Sequence, residues 1–557
     1  MTTIPAGLRT GGQILVAQLV AQKVDRVTCV PGESYLAVLD ALYDSAIDTI
    51  VCRNEGGAAM MADAYGKLTG RPGVCFVTRG PGATNACHGV HIAMQDSTPL
   101  ILFVGQVATD AREREAFQEI DYRAMFGSLC KWVVEIDRCE RIPELVARAF
   151  RVALQGRPGP VVVSLPEDML TRVAEVGDSP FVRPAAASPA PAAMEELAFA
   201  LAAAQQPLAI VGGSGWTAAA VQQMADFSLR SGIPVATSFR RASLFSADHP
   251  YYAGDLGIGP NPRLAKRVRD ADLVLLVGGR FSEMPSASYT MMDIPKPRQR
   301  LIHVHAGAEE IGRVYQPDIA VQASPAAFAA ALDDLDIPAG LSFHAQGDEA
   351  HADYLDWSSA PRKLPGDFQF GEVVSWLSER LPADAIVCNG AGNYAGWVHR
   401  YHRFRQFGRQ LAPTSGSMGY GIPAAVMAKR HHPDQIVLAY AGDGCFLMNG
   451  QEFATAVQYE CPIIVIVADN GQYGTIRAHQ EREYPGRVAA TQLRNPDFAG
   501  YARTFGGHGE TVLFTEEFAP AFERALKSGK PSILHCKLDP RAQSHLKDFV
   551  PAAEAGG

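Results

Sequence analysis

At 557 residues the chain is longer than one hydrophobic core normally serves, so about two to four domains are expected. Its composition, 47% apolar and 20% charged with a formal net charge of −9, is that of a globular protein, and the absence of a basic stripe argues against binding to nucleic acid or a membrane surface. No apolar run reaches transmembrane length, Met1 to Gly12 has no signal-peptide core, and the scattered cysteines contain no Cys-x-x-Cys pair, which argues against zinc sites and a disulfide framework and makes a reducing cytoplasm the expected location.

The first third alternates short Val/Ile-rich runs with helical patterns, as in parallel-sheet α/β domains. Thr49-Ile50-Val51-Cys52 is followed by Arg53-Asn54-Glu55-Gly56-Gly57-Ala58, which places Glu55 at the tight start of a helix. The runs Gly73 to Thr78, Leu100 to Val104 and Val161 to Ser164 are apolar almost throughout, as expected of strands with helices on both sheet faces. Arg79-Gly80-Pro81-Gly82-Ala83-Thr84-Asn85 follows one of them and opens a helix. Linkers are expected at Ser179 to Ala193, rich in Pro and Ala, and at 339–366, rich in Ser, Gly, Asp and His. They divide the chain into expected domains at 8–178, 194–338 and 367–545.

The last third carries the most informative pair. Asp443 sits in Gly442-Asp443-Gly444, after the run Ile436 to Tyr440, and Asn470 follows the run Ile463 to Ala468. A helix is expected between them, from Glu452 to Tyr459. The unit reads as strand, acidic loop, helix, strand, amide loop. A right-handed crossover sets the carboxyl ends of the two parallel strands side by side, where open α/β sheets bind ligands. A carboxylate and an amide oxygen there suit a hard cation such as Mg²⁺ alongside phosphate oxygens, and the glycines let backbone N–H groups approach a diphosphate. Asn389-Gly390-Ala391-Gly392-Asn393-Tyr394 offers further donors in Gly392 and Asn393, and Thr414-Ser415-Gly416-Ser417-Met418-Gly419 places a bulky thioether among glycines. The first and last thirds also close alike. A helix, then Gly156-Arg157-Pro158 or Gly529-Lys530-Pro531, then a strand suggests a duplicated fold around a different middle domain.

Gly-Asp-Gly followed about thirty residues later by Asn resembles the thiamine diphosphate (ThDP) signature, and over essentially its full length the chain resembles the ThDP-dependent decarboxylase/carboligase family, acetolactate synthase-like. Pro31-Gly32, Ala116-Phe117-Gln118-Glu119 and Met448-Asn449-Gly450-Gln451-Glu452 extend the likeness. The resemblance implies three parallel-sheet α/β domains, pyrimidine-binding and diphosphate-binding domains flanking a Rossmann-like middle domain. It implies Mg²⁺ held by Asp443, Asn470 and the backbone carbonyl of Gln472. ThDP contacts are expected from Pro31, Glu55, Thr78, Pro81 and Asn85 on the pyrimidine side. On the diphosphate side they are expected from Gly392, Asn393, Tyr394, Ser417, Met418, Gly442, Asp443, Gly444, Cys445, Asn470, Gln472, Tyr473, Gly474 and Thr475. Glu55 is the expected cofactor-activating carboxylate, Met418 the residue that sets the cofactor's bent shape, and Gln118 and His479 the substrate contacts. The implied reaction acts on a small 2-oxo acid, with decarboxylation to an enamine and then protonation or ligation to a second carbonyl. A homodimer or homotetramer is implied, with Glu55 and Asp443 serving one site from different subunits.

The chain also departs from acetolactate synthases. Where these carry Met-x-x-x-Trp after the metal Asn, it has Thr475 and His479, so a more polar pocket mouth is expected. Glu33-Ser34 follows Pro31-Gly32 in place of small apolar residues, and His88 stands at a Thr-like position. Gly212-Gly213-Ser214-Gly215 is not a complete dinucleotide fingerprint and the acidic pair after His303 is missing, so FAD is not expected. A 2-hydroxyacyl-CoA lyase or oxalyl-CoA decarboxylase-like activity stays open as a rival, as does a catalytically silent ThDP-fold binding subunit.

Overall fold

The computed structural model describes residues 7–336 and 342–546. Three six-stranded sheets dominate, and every pairing within them is parallel. The first contains β1 (Arg26–Cys29), β2 (Asp48–Val51), β3 (Gly73–Val77), β4 (Leu100–Gln106), β5 (Trp132–Glu135) and β6 (Pro160–Pro166). The middle sheet contains β7 (Pro207–Val211), β8 (Val235–Thr237), β9 (Tyr252–Asp255), β10 (Leu273–Val277), β11 (Arg300–His305) and β12 (Ile319–Gln322). The last contains β13 (Ile386–Asn389), β14 (Gln410–Leu411), β15 (Val437–Gly442), β16 (Ile464–Asp469), β17 (His508–Val512) and β18 (Ser532–Lys537).

Strand order carries the expected duplication. The first sheet runs β2-β1-β3-β4-β6-β5 and the last β14-β13-β15-β16-β18-β17, the same permutation. The middle sheet runs β9-β8-β7-β10-β11-β12, the order of a doubly wound dinucleotide-binding fold. All seven residues of β4, and all of β3, β7 and β10, are buried, because helices cover both faces of the parallel sheets.

By contact density the chain forms two compact units. One runs to Ala185 and takes in Val426–His431, and the other comprises Ala186–Ala425 and resumes at His432. The middle and last sheets share the second unit. Among the described residues no helix is long and apolar enough to cross a membrane.

In the first unit, Glu55 opens the helix Glu55–Thr69, whose N-cap Asn54 accepts a hydrogen bond from the Gly56 N–H at 2.8 Å. The helix Gly80–Asp96 follows β3 and packs hard against the helix Glu55–Thr69. A Cβ at Gly89 would lie 2.4 Å from the Ala59 Cβ, so only hydrogen fits where the two helices meet. The stretch after Pro166 is tied down by side chains. Gln18 bonds both the N–H and C=O of Ser179, and Gln22 bonds the C=O of Pro180 and the N–H of Val182, imitating a strand partner.

Two expectations need correction. The second linker, whose residues 339–341 and the neighbouring boundary at 338 lie outside the described residues, contains a helix, His344–Ser359. Its buried face is Gly347, Ala350, Tyr354 and Ser358, so small and polar side chains hid the helical period. Tyr354 meets Tyr252 edge-on at 4.8 Å between ring centroids. Nor does Asp443 sit in a loop. Gly442 ends β15 and caps the helix Asp443–Asn449, and a second helix, Glu452–Gln458, completes the crossover to β16.

Replacing Gly89 with valine is expected to destabilise the first unit by about 1–3 kcal/mol through overpacking, read from the urea midpoint. Gly177→Ala, where an added Cβ meets nothing within 4 Å, should leave the midpoint unchanged.

Candidate cofactor site

The carboxyl ends of β13, β15 and β16 frame a cavity of about 250 Å³ in the second unit. β15 pairs with β16 in register to its last residue, Gly442 opposite Ala468, one residue before the end of β16, which sets Asp443 and Asn470 just past neighbouring strand ends. Three helix starts line the cavity. They are Gly392-Asn393-Tyr394, Gly442-Asp443-Gly444-Cys445 and Gln472-Tyr473-Gly474-Thr475. Helix starts present unpaired N–H groups and positive partial charge, which suits a diphosphate. Met418, Trp397, Ile476, Leu538 and Ala542 supply apolar wall for the body of a ligand.

The cradle depends on glycine where backbone and rings close in. A Cβ on Gly444 would lie 2.5 Å from the Tyr473 ring. The Thr475 hydroxyl donates to Asn393 Oδ1 at 2.9 Å, tying two of the helix starts together. Gln472 is buried and donates its side-chain amide to the Pro540 carbonyl at 2.7 Å, and its backbone carbonyl accepts the Gly474 N–H at 2.9 Å, using one of that oxygen's two lone pairs. The buried Cys445 thiol lies 3.3 Å from the Tyr394 hydroxyl and accepts the Gly419 N–H at 3.2 Å. Ser417 does not line this cavity, and its hydroxyl lies 3.0 Å from that of Ser415.

Asp443 is 3% exposed. Its Oδ1 accepts the Gly444 N–H at 2.9 Å and its Oδ2 accepts Asn495 Nδ2 at 2.7 Å. Burial pushes its carboxyl above the usual range, and the charge of Asp469 adds to the rise. Burial also acts against ionisation of Asp469, but hydrogen bonds from His535, Lys537 and Asn495 outweigh it and hold that carboxyl well below the usual range. An ionised, buried Asp443 needs a counter-charge, and a divalent cation supplies one. Among the described residues no group of three or more His, Cys, Asp or Glu side chains is arranged to hold a metal. A cation beside Asp443 would draw its further oxygens from Asn470, Gln472 and a diphosphate. The residues present fit Mg²⁺ and ThDP.

In the first unit, Pro31, Glu55, Thr78, Pro81, Asn85 and Gln118 all lie past the carboxyl ends of β1, β2, β3 and β4. Glu55 is half-buried, and its Oε2 accepts Asn85 Nδ2 at 2.9 Å. Close approaches interlock these connections. A Cβ at Gly32 would strike Thr78 at 2.5 Å, and the Gly80 N–H donates to the Gln118 carbonyl at 3.0 Å. Gln118 has a φ of +66°, strained for a side chain of its size. Its loop is held by the Glu119 carboxylate, which accepts the N–H groups of Glu113 and Ala116 and pairs with Arg112. Pro31 and Pro81 are exposed. His479 is exposed on the helix Gly474–Glu483, within 2.7 Å of Arg482 Nη2, and does not line the cavity of the second unit. His88 is exposed on Gly80–Asp96.

Sequence reasoning missed Asn495 and Asp469. Asp469 adjoins Asn470 and was open to notice as a carboxylate ending an apolar strand. Asn495 lies in an irregular stretch before Pro496, where no periodicity marks it.

Gly444→Val is expected to push the Tyr473 ring into the cavity and weaken inorganic pyrophosphate binding about tenfold, or about 1.4 kcal/mol, measured by calorimetry. An unaltered pyrophosphate affinity would show that this cradle is not the anion site.

Three family models match the chain in succession: thiamine pyrophosphate enzyme, N-terminal TPP binding domain, at 9–125; the central domain at 194–332; and the C-terminal TPP binding domain at 390–536. The acetolactate synthase isozyme 2 large subunit of Escherichia coli (strain K12) is 32% identical over 536 residues, covering 95% of each chain. The acetolactate synthase large subunit of Corynebacterium glutamicum is 32% identical over 93% of this chain and 84% of its own. A probable acetolactate synthase large subunit of Methanocaldococcus jannaschii is 29% identical over 98% and 94%. With all three domains matched in order and relatives aligned nearly end to end, the chain belongs to the thiamine pyrophosphate enzyme family, in its acetolactate synthase-like group of ThDP-dependent decarboxylases and carboligases.

Proposed function

We propose that the protein is a ThDP- and Mg²⁺-dependent lyase or carboligase acting on a small 2-oxo acid. The observation that carries this reading is the pairing of a glycine-lined, Asp443-containing cavity on one sheet with a Glu55–Asn85 hydrogen bond on another sheet of the same strand order. When bound, ThDP supplies a nucleophilic carbon and an electron sink for the bond cleaved beside the keto group. The rest of the chemistry belongs to the chain. Glu55 holds a proton at the pyrimidine N1′ position, and Asn85 fixes the carboxylate's orientation. Asp443, Asn470 and the Gln472 carbonyl would hold Mg²⁺, which would neutralise the charge of the diphosphate. Met418 and the apolar wall would pack against the body of the cofactor and keep water scarce, which would favour loss of a substrate carboxylate.

Gln118 and His479 are the proposed substrate contacts. Thr475 lines the cavity where acetolactate synthases carry Met, and His479, exposed outside the cavity, stands where they carry Trp, so we take the acceptor or donor to be a more polar acid than theirs. The minimal active unit is a homodimer in which Glu55 and Asp443 come from different subunits. Ten free cysteines support a reducing cytoplasm as the location.

We take the middle domain to work without FAD. In the stretches that would hold it, polar groups serve the fold. Arg240 donates to the Pro413 carbonyl, the His303 ring nitrogen lies 3.0 Å from the Gly279 carbonyl oxygen, and Trp216 Nε1 donates to the Gly212 carbonyl at 2.7 Å.

The decisive experiment measures CO₂ release from a panel of 2-oxo acids with ThDP and Mg²⁺, for wild type and Glu55→Gln. Release by wild type, reduced about 10²–10⁴-fold in the variant, is expected. No release with any acid despite ThDP binding would overturn the 2-oxo acid reading and favour acyl-CoA substrates or a silent binding subunit. The purified protein is also expected to be colourless near 450 nm and to take up no added FAD, whereas a stoichiometric flavin spectrum would reverse the middle-domain assignment.

A further inference from the structure

The two groups proposed to hold the cation stand on one buried hydrogen-bond network that no part of the proposed chemistry uses. Asn495 Nδ2 lies 2.7 Å from Asp443 Oδ2 and 2.7 Å from Asp469 Oδ1, so one amide nitrogen directs its two protons at two carboxylates. Asp469, 4% exposed, is anchored from the other side by His535 Nε2 at 2.7 Å and Lys537 Nζ at 2.6 Å, both on Oδ2. His535 is itself 2% exposed and sits edge-on against Phe498 at 4.9 Å. Asp469 Oδ1 also accepts the Gly471 N–H at 3.0 Å, closing the turn that presents Asn470. Asn495 is delivered by the backbone. Tyr473 N–H donates to the Thr491 carbonyl and Leu493 N–H to the Gly471 carbonyl, each at 2.8 Å, so its segment runs beside the Asn470 turn. Asn495 Oδ1 is buried and meets no hydrogen-bond partner, so no competing bond to that oxygen draws the amide away from its two carboxylates.

We infer that Asn495 and Asp469 are positioning residues that fix the separation of Asp443 and Asn470. Asp469 reaches both, Asn470 through the Gly471 N–H and Asp443 through Asn495. The inference rests on the reading of Asp443 and Asn470 as metal ligands. Partners of this kind orient the ligands, and their loss typically lowers metal affinity about 10–100-fold.

The test is a Mn²⁺ titration of the full-length apo-protein, followed by the free-ion electron paramagnetic resonance signal with saturating ThDP. Thermal unfolding of the apo-protein is measured alongside. Asn495→Ala is expected to raise the Mn²⁺ dissociation constant about tenfold or more. Asp469→Asn should do the same, because its new NH2 must face donors, either Asn495 and the Gly471 N–H or His535 and Lys537, and it carries the test alone if Asn495→Ala does not fold. Asp443→Ala should abolish tight binding. Wild-type Mn²⁺ affinity in folded Asn495→Ala and Asp469→Asn, with Asp443→Ala defective, would overturn the positioning role while leaving the ligand assignment intact. Wild-type affinity in Asp443→Ala would instead overturn the ligand assignment itself. A lowered unfolding temperature with unchanged Mn²⁺ affinity would mark the network as structural only and reject the inference.

Discussion

In-register parallel pairing of β15 with β16 is the constraint on which the cofactor site depends. Parallel strands joined by a covered crossover must end on the same edge of their sheet. Whatever follows them is therefore brought together without any need for local sequence to encode the contact. Here the followers are Gly442-Asp443-Gly444 and Asp469-Asn470-Gly471. β18 pairs with β16 as far as Asp469 opposite Lys537, so the same edge delivers the cation that steadies the buried carboxylate.

Much of this was legible in the sequence. Near-continuous apolar runs identified β3, β4, β6, β15 and β16, because strands covered on both faces have no polar side to display. Glu55 at a helix start and the Arg79–Asn85 turn were placed correctly, since Gly, Asn and Pro have steric or hydrogen-bonding reasons to stand there. The helix His344–Ser359 was illegible because its buried stripe is made of Gly, Ala, Tyr and Ser. Asn495 was illegible for a different reason. It lies 52 residues from Asp443, and its role is defined by tertiary geometry alone. The domain types were legible from closing units and linkers, but the shared strand permutation of the outer sheets appears only in three dimensions.

The two halves of the proposed site use unlike physics on like scaffolds. The last sheet gathers helix starts, glycines and a buried carboxylate, an arrangement suited to an anion paired with a cation, which is an electrostatic task. The first sheet presents one half-buried carboxylate steadied by one amide, which suits the proton-handling task proposed for Glu55. In the first unit the Gly32 connection closes on Thr78, and the helices that carry Ala59 and Gly89 close on each other, so neither contact leaves room for a side chain at the glycine.

Corresponding connections on the two outer sheets can be compared directly because their strand orders agree. The connection after the second strand carries Glu55 on one sheet and Met418 on the other, and that after the third carries Arg79-Gly80-Pro81 on one and Asp443-Gly444 on the other. The fold thus offers the same few presentation points twice, and Glu55 and Met418, or Arg79 and Asp443, differ in charge and size while a glycine stands in both third connections. Topological likeness between the outer sheets is matched by side-chain likeness in their closing turns, Gly156-Arg157-Pro158 and Gly529-Lys530-Pro531, but not at these charged positions. Activity on such a scaffold is open to change by exchanging a handful of loop residues while eighteen strands stay where they are.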